Sequence, residues 1–555
     1  QDINDEALSD EAPELYDVSR DPEYEDKHGV PPIPRSLKHL YKNPDCPYFP
    51  SWIQAVKQEL GSLQAMGTFK AVTKLPPKQK RAKTILLFSL KATKFKCRLV
   101  VLGNLLYDRG NDNYAATCKA TTIRLLTAKA AELGEDIRQL DVKNAFINAP
   151  CQELIYIHIP DGMDLVINDK PTVLAYKLEK MLYGLRQSPR CWYEFLITRL
   201  FEFGLRRSFH DPCLFLKSGL FLAFYVDDGI YFGPQAQEFE TFMKSKFELN
   251  EPCEIGTYTG YEFLRSPKGY FMHQTKFIEK LALDFNVTDK KTVFTPLPQS
   301  LNIDSPISGS RQDPNFEDIP YRNLIQGMRF ICSNTRPDCL YALNYLSRFC
   351  HCYTDRHYKY ALYLLTYILC TRQYGLLFPF GKLASARTLV VEDSQHVVPM
   401  TSIFCDASFA PADQDRKSPG SFISFYKGTP VDWACKHIAG ISLSPAEAEL
   451  KILSMTLQRA RWFRWMLIDL KMILPKTQIT VFSDNTSAIE NIQRPSGSSS
   501  KMLHVEKHYY FIQDMLNDVK LRYIPSKFMV ADIGTKLLPR ALVERFRNWM
   551  LTQYE

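Results

Sequence analysis

The stretch FLAFYVDDGIYFGP, residues 221–234, sets Asp227 and Asp228 side by side between two aromatic, apolar runs. An Asp-Gly step flanked by strand-like runs is a strong hairpin signal, so one reading makes the two acids the polar tip of a turn. The other makes them a pair of metal ligands held at a fixed point. A third acid bears on the choice. Asp141, in RQLDVKNAF (138–146), is flanked by Leu140 and Val142 within a predicted strand. Strands that bring Asp141 beside the hairpin crowd three carboxylates, which cannot all stay ionised unless a cation neutralises them. Hard oxygen ligands of this kind suit Mg²⁺, which takes its remaining ligands from water and phosphates, and two such ions suit in-line phosphoryl transfer.

Working outward, SPRCWYEFLITRLFEFG (188–204) reads as a punctuated helix, with Ser188 as N-cap, Pro189 at the first position and Gly204 as terminator. Its aromatic face, Trp192 with Leu196 and Leu200, reads as core ahead of a base-stacking platform. Upstream, Trp52, Val56, Leu60 and Leu63 fall at helical spacing. The last part of the chain repeats the carboxylate theme. SIFCDAS puts Asp406 on a strand, TVFSDNTSAI puts Asp484 at a strand end, and MVADIGTK puts Asp532 near a helix start. In SPAEAELKILSMTLQRA, Ser444 and Glu447 read as a capping box around Pro445, and Leu450, Leu453 and Leu457 as the buried stripe. Glu449 is left without a local role, and four acids on these elements suit a second two-metal site for phosphodiester hydrolysis.

The bulk properties agree with a large multidomain chain. At 555 residues it is too long for one core, and 45% hydrophobic with 13% aromatic residues is ample for packing. No membrane span or secretory signal is read, and the 14 cysteines show no paired zinc-type spacing, so reduced thiols are expected. His351 and Cys352 read as packing residues. Residues 1–28 carry net −9; since the whole chain is +8, the remainder is +17, an electrostatic footprint compatible with nucleic acid. A Pro-, Ser- and Asp-rich break at 295–320 marks a surface connection, and a shift in pattern near 381–399 marks the last domain boundary. The predicted divisions are a flexible acidic lead-in at 1–45 and globular units at 46–240, 241–395 and 396–555.

Taken together the motifs identify a resemblance. SWIQAVKQEL, CRLVVLGN, QLDVKNAFIN, LYGLRQSPRCWY, YVDD, YRNLIQGMRFICSNTRPDCLYALNYLSRF, DQDRKSPGSF, SPAEAEL and YIPSKFMVADIGTK, in that order, resemble the reverse transcriptase and ribonuclease H region of copia-type LTR retrotransposon polyproteins. The resemblance implies a multidomain α/β (α+β) fold: fingers and palm over 46–240, thumb and connecting region over 241–395, then an RNase H-like α/β domain. It implies Asp141, Asp227 and Asp228 as polymerase metal ligands, and Asp406, Glu449, Asp484 and Asp532 as the RNase H quartet, each site with two Mg²⁺ (Mn²⁺ as substitute). Phe146 resembles the steric gate against a 2′-hydroxyl, although as a residue it also reads as a buried strand aromatic. Arg98 resembles the fingers residue that contacts the triphosphate, with Lys96 as rival register, and Gln187 a nucleotide-pocket or template position.

Implied partners are RNA template, DNA primer, RNA–DNA hybrid and dNTPs, with integrase and capsid proteins of the same element and no membrane. The implied setting is a cytoplasmic virus-like particle, with nuclear entry of its product complex. The competing expectation is a decayed or host-retained copy that binds nucleic acid without catalysis. Three departures stand out. Gly229 follows YVDD in place of a larger apolar residue, YAATCKA (114–120) lacks a proline near its end, and PSKFMVA (525–531) has no histidine. The first two are expected to loosen local packing.

Overall fold

The computed structural model describes residues 31–555 except 78, 92–93, 104–112, 167–172, 302–319, 382–397, 410–416, 494–505 and 555. The acidic run at 1–30, most of the 295–320 connection and most of the 381–399 break therefore lie outside the described residues. The lead-in does not extend to residue 45 as expected. Ser36 accepts a hydrogen bond from His39 N–H and caps a helix, Leu37–Tyr41, whose Leu37 and Leu40 are buried beside Trp52 and Val56. Two leucines one helical turn apart were hidden by the polar average of the segment. Trp52 Nε1 also donates to Pro32 O at 3.1 Å, tying down the PPIP stretch.

Beyond this point the expected mixed α/β organisation is present. The helix Phe49–Ala65 buries Trp52, Val56, Leu60 and Leu63 against a long antiparallel hairpin, Thr84–Lys91 with Lys94–Val101. Trp52 meets Phe88 and Phe95 edge-on there. A six-stranded sheet, where the resemblance expects the palm, runs in the order Cys253–Glu254, Arg138–Asp141, Asp228–Phe232, Leu220–Tyr225, Leu214–Lys217, Arg206–Arg207. Both faces are covered, which is why LFLAFY reads as an unbroken apolar run. Leu220, Leu222 and Phe224 point to the helices Ser188–Glu202 and Ala236–Lys246, while Phe221 and Ala223 point to the helix Ala120–Leu133.

A second antiparallel sheet joins Tyr261–Ser266, Gly269–His273 and Tyr374–Pro379, and the helices Tyr321–Asn334, Leu340–Ser347 and Asp355–Cys370 share their own core. The TRPD block has a structural task in this region. Arg336 grips Asp338 with two hydrogen bonds of 2.9 and 2.7 Å and donates to Thr371 O, while Tyr367 OH donates to Asp338. Both charged side chains are fully buried, so the pair is tolerable only because its polar atoms are satisfied.

The C-terminal sheet runs Thr429–His437, Pro419–Tyr426, Thr401–Ala407, Ile479–Ser483, Val519–Tyr523, the first three strands antiparallel and the last two parallel to the central one. The long helix Pro445–Asp469 lays Leu450, Leu453 and Leu457 on the sheet. This domain is joined to the palm by the helix Ala120–Leu133, in which every residue from 121 to 131 is buried. Arg124 donates to Val431 O, Ser333 O and Asn334 O and stacks on Trp433 at 3.9 Å; Thr121 donates to Asp432, which Arg459 also holds. Among the described residues no helix is long and apolar enough to cross a membrane.

Candidate active sites

The palm acids are placed by strand pairing. Asp228 lies directly opposite Asp141 across the antiparallel pair, and Tyr225 pairs with Asp228 on the other side. Directly opposite residues share a face, so the carboxylates of Asp141 and Asp228 emerge together. The turn, however, is not the Asp-Gly step. Val226 and Asp227 form the tip, and Asp228 and Gly229 already belong to the strand Asp228–Phe232. Val226 takes φ 57°, a region costly for a β-branched residue. Trp192 Nε1 donates to Val226 O at 2.7 Å and holds the tip, so the core aromatic of the preceding helix Ser188–Glu202 is also its tether. That helix starts one residue earlier than expected, with Gln187 as N-cap and the Ser188 hydroxyl donating to Leu182 O.

Gly229 does not loosen the hairpin. A β-carbon there would lie 2.9 Å from the Phe224 ring and 3.3 Å from Leu140, so the ring of its cross-strand partner fills the space. The YAATCKA segment is likewise held: Ala116 and Cys118 are buried, and Lys119 N–H donates to Asp211.

On the hairpin strand Lys94–Val101, Lys96 and Arg98 fall on the same face, two residues apart. The Arg98 guanidinium lies 4.8 Å over Tyr183, and Tyr183 meets Phe146 edge-on at 5.0 Å. Burial pushes the Tyr183 hydroxyl up from its ordinary value, Arg98 draws it down, and Asp227 and Asp141 push it up, so this ring sits between the basic strand and the palm acids. Val101 N–H donates to the Tyr183 backbone O, tying this segment to the strand Lys94–Val101. Phe146 is half-buried on a short helix, Ala145–Asn148, rather than in a strand. Gln187 Nε2 donates to Glu153 at 3.2 Å, on an exposed face.

The C-terminal acids are gathered more tightly. The central strand and its parallel neighbour pair Phe404 with Phe482, and two residues further on each lie Asp406 and Asp484. Glu449 approaches from the long helix and accepts a hydrogen bond from the Ala407 backbone N–H. Glu447 takes the helix-start role: Glu447 N–H donates to Ser444 Oγ, and its carboxylate accepts from Leu443 N–H. Ligand oxygens of Asp406, Glu449 and Asp484 all lie within 4.8 Å of one another, with Asp406 only 1% exposed. Burial, then Asp406 and Asp484, push Glu449 up to about 8. Asp532, in the turn Val530–Gly534, is pushed up to about 7 by burial and Asp406, despite Lys536 beside it.

The palm trio does not reach that spacing, and among the described residues this is the one such cluster. Three carboxylate oxygens in reach of one point, with one group driven toward protonation by its neighbours, fit a hard divalent cation.

Four contributors are not among the residues singled out in the sequence. Asn250 donates both its backbone N–H and its side-chain amide to Asp141, 109 residues away in sequence. Ser526 donates to Asp484, and Thr535 and Lys536 engage Asp406. Only Lys536, four residues after Asp532, had a spacing that hinted at an acid–base pair.

Residues 68–299 match the family described as reverse transcriptase (RNA-dependent DNA polymerase). The chain is 27% identical over 530 residues to the retrovirus-related Pol polyprotein from transposon TNT 1-94 of Nicotiana tabacum, covering 91% of this chain and 38% of that protein. To the Pol polyprotein from transposon RE1 of Arabidopsis thaliana it is 29% identical over 468 residues, 82% of this chain and 30% of that one. It thus spans about a third of the length of these relatives. A solved foamy viral protease–reverse transcriptase in complex with RNA/DNA hybrid aligns with TM-score 0.45 at 13% identity, covering 85% of this chain and 53% of that one. Residues 68–299 are thus similar to the reverse transcriptase family, and over most of its length the chain is similar to transposon Pol polyproteins.

Proposed function

We propose that this chain is the reverse transcriptase portion of a copia-type element, copying RNA and DNA templates into DNA at the palm and cutting the RNA strand of the resulting hybrid at the C-terminal site. The observation that carries the reading is Asp141 standing opposite Asp228 with Asp227 at the adjoining tip. In synthesis the primer 3′-hydroxyl attacks the α-phosphorus of a dNTP, a new P–O bond forms and pyrophosphate leaves. Asp141, Asp227 and Asp228 would hold divalent cations, Mg²⁺ with Mn²⁺ as substitute, which when bound would lower the pKa of the attacking hydroxyl and offset charge on the leaving group. Arg98, on Tyr183, binds triphosphate oxygens, with Lys96 alongside on the same face. Phe146 closes the sugar side of the pocket, and Gln187 faces template or nucleotide.

At the C-terminal site Asp406, Glu449, Asp484 and Asp532 orient a water for attack on a phosphodiester of the RNA strand. Hybrid contacts go mostly to backbone and 2′-hydroxyls, so binding weakens steeply with salt. Integrase and capsid proteins of the same element, within a cytoplasmic particle, complete the proposed setting.

The test is primer extension on an RNA template with Mg²⁺ and dNTPs, reading DNA product and template shortening together. Asp228→Asn is expected to abolish extension alone, and Glu449→Gln shortening alone. A wild-type chain that binds hybrid but does neither with Mg²⁺ or Mn²⁺ would overturn the reading in favour of a binding protein without catalysis.

A further inference from the structure

Asp532 lies beside Asp406 but outside the tighter cluster of the C-terminal site. Oxygens of Asp406, Glu449 and Asp484 gather within 4.8 Å, and Asp532 is not among them. It is engaged instead by Lys536, whose Nζ lies 2.8 Å from Asp532 Oδ1 and 3.3 Å from Asp406 Oδ1. In a two-cation site the ions stand about 3.5–4 Å apart and share a carboxylate. Here the shared carboxylate is Asp406, and the place on its far side, between Asp406 and Asp532, is taken by an ammonium belonging to the chain.

The placement is built in by several contacts. Lys536 N–H donates to Asp532 O at 3.0 Å, and the Thr535 hydroxyl donates to Asp406 Oδ2. The turn beneath is pressed onto the sheet, because a β-carbon at Gly534 would lie 2.2 Å from Ser421 Oγ. On its outer side Lys536 borders a cavity of about 220 Å³ that already holds Arg348 and His437. The Arg348 guanidinium on that side leaves the acids as the favourable neighbours of the ammonium.

We infer that Lys536 is a resident second cation: the C-terminal site takes one divalent ion, in the Asp406–Glu449–Asp484 cluster, and a second enters only by displacing Lys536. The inference rests on the cleavage function proposed above and revises the expectation of two ions at that site. Lys536 is a positioning residue, setting how many metal ions the four acids hold.

The experiment counts Mn²⁺ bound to the full chain carrying Asp141→Asn, Asp227→Asn and Asp228→Asn, which silence the palm, by electron paramagnetic resonance and titration calorimetry. One Mn²⁺ is expected, with any second bound at least about 10-fold more weakly. Adding Lys536→Gln should narrow that gap to roughly 3-fold or less, and Lys536→Arg should restore it. Two Mn²⁺ of equal affinity, none at all, or a gap unchanged in a folded Lys536→Gln chain would overturn the inference. If Lys536→Gln does not fold, the count in the palm-silenced chain decides alone. RNA-strand cleavage measured in parallel separates the two readings. One tight Mn²⁺ without cleavage sinks the cleavage function only, and two equal Mn²⁺ with cleavage sink the role of Lys536 only.

Discussion

The palm and the C-terminal site hold their acids by different means. Asp141, Asp227 and Asp228 are half-exposed, set by strand register and a strained tip, and stand short of a cation-sized cluster. Asp406, Glu449 and Asp484 are drawn together under a long helix, deep enough that Glu449 is driven well above the usual carboxylate range. Register alone aligns backbones and leaves the side chains to be gathered when substrate and cations arrive. A buried cluster is assembled beforehand, and its mutual repulsion is stored in the folded state until positive charge enters.

The largest effect that would sharpen this contrast is catalytic. Asp228→Asn should lower primer extension roughly 10³-fold or more, since a metal ligand contributes several kcal/mol to the transition state, while changing metal-free stability by less than about 0.5 kcal/mol. A large loss of stability would show that the palm acids are pre-gathered after all.

Glu449 should behave in the opposite sense. Its folded value, about 8, lies above its ordinary 4.5, so the folded chain binds more protons across that interval. Stability of the metal-free C-terminal domain should therefore fall as pH rises from about 5 to 8, by an amount on the order of 2 kcal/mol. Asp532, raised to about 7, adds in the same direction, while Lys536 remains charged throughout. Glu449→Gln should flatten the slope and raise the melting temperature at pH 8. A melting temperature independent of pH in metal-free wild type would remove the stored repulsion.

Smaller effects probe the tip and the strand. Trp192→Phe keeps most of the packing but removes the donor to Val226 O. It should cost about 1–2 kcal/mol and slow extension more than it weakens primer–template binding. Gly229→Ala should cost about 1–3 kcal/mol through the clash with Phe224, and a shorter aliphatic residue at 224 should recover part of it. If Gly229→Ala is neutral on its own, the ring is not what the glycine accommodates. Asn250→Ala, which frees Asp141, should raise the metal concentration needed for half-maximal extension with little change in melting temperature.

What could be read in advance follows the range of the interaction. Helix-length periodicity placed the buried faces at Trp52–Leu63 and Leu450–Leu457, and the Ser444–Pro445–Glu447 start isolated Glu449 by elimination. The hairpin tip falls one residue earlier than the Asp227–Asp228 reading, at Val226–Asp227, because nothing local announces a valine at φ 57° when it is held by a tryptophan 34 residues upstream. Asn250 and Lys536 escaped for the same reason, their partners lying 109 and 130 residues away. The helix Ala120–Leu133 is the plainest case. TTIRLLTAKAAEL carries an arginine, a lysine and three threonines, which suggest a wet face, yet residues 121–131 are all buried. Its polar groups find partners on three sides: Thr121, Arg124 and Lys129 reach the C-terminal domain, Arg124 also reaches Ser333 O and Asn334 O, and Thr122 donates to Asp211.

That helix also imposes a timetable on synthesis. Val431, the acceptor for Arg124, is made 307 residues later, which at ~5–20 residues per second is roughly 15–60 s of translation. Through that interval the nascent palm presents a helix whose arginine and threonine await their partners beside bare apolar side chains. A chain stopped before residue 400 would keep that face permanently, so premature termination should yield an aggregating species rather than a smaller polymerase.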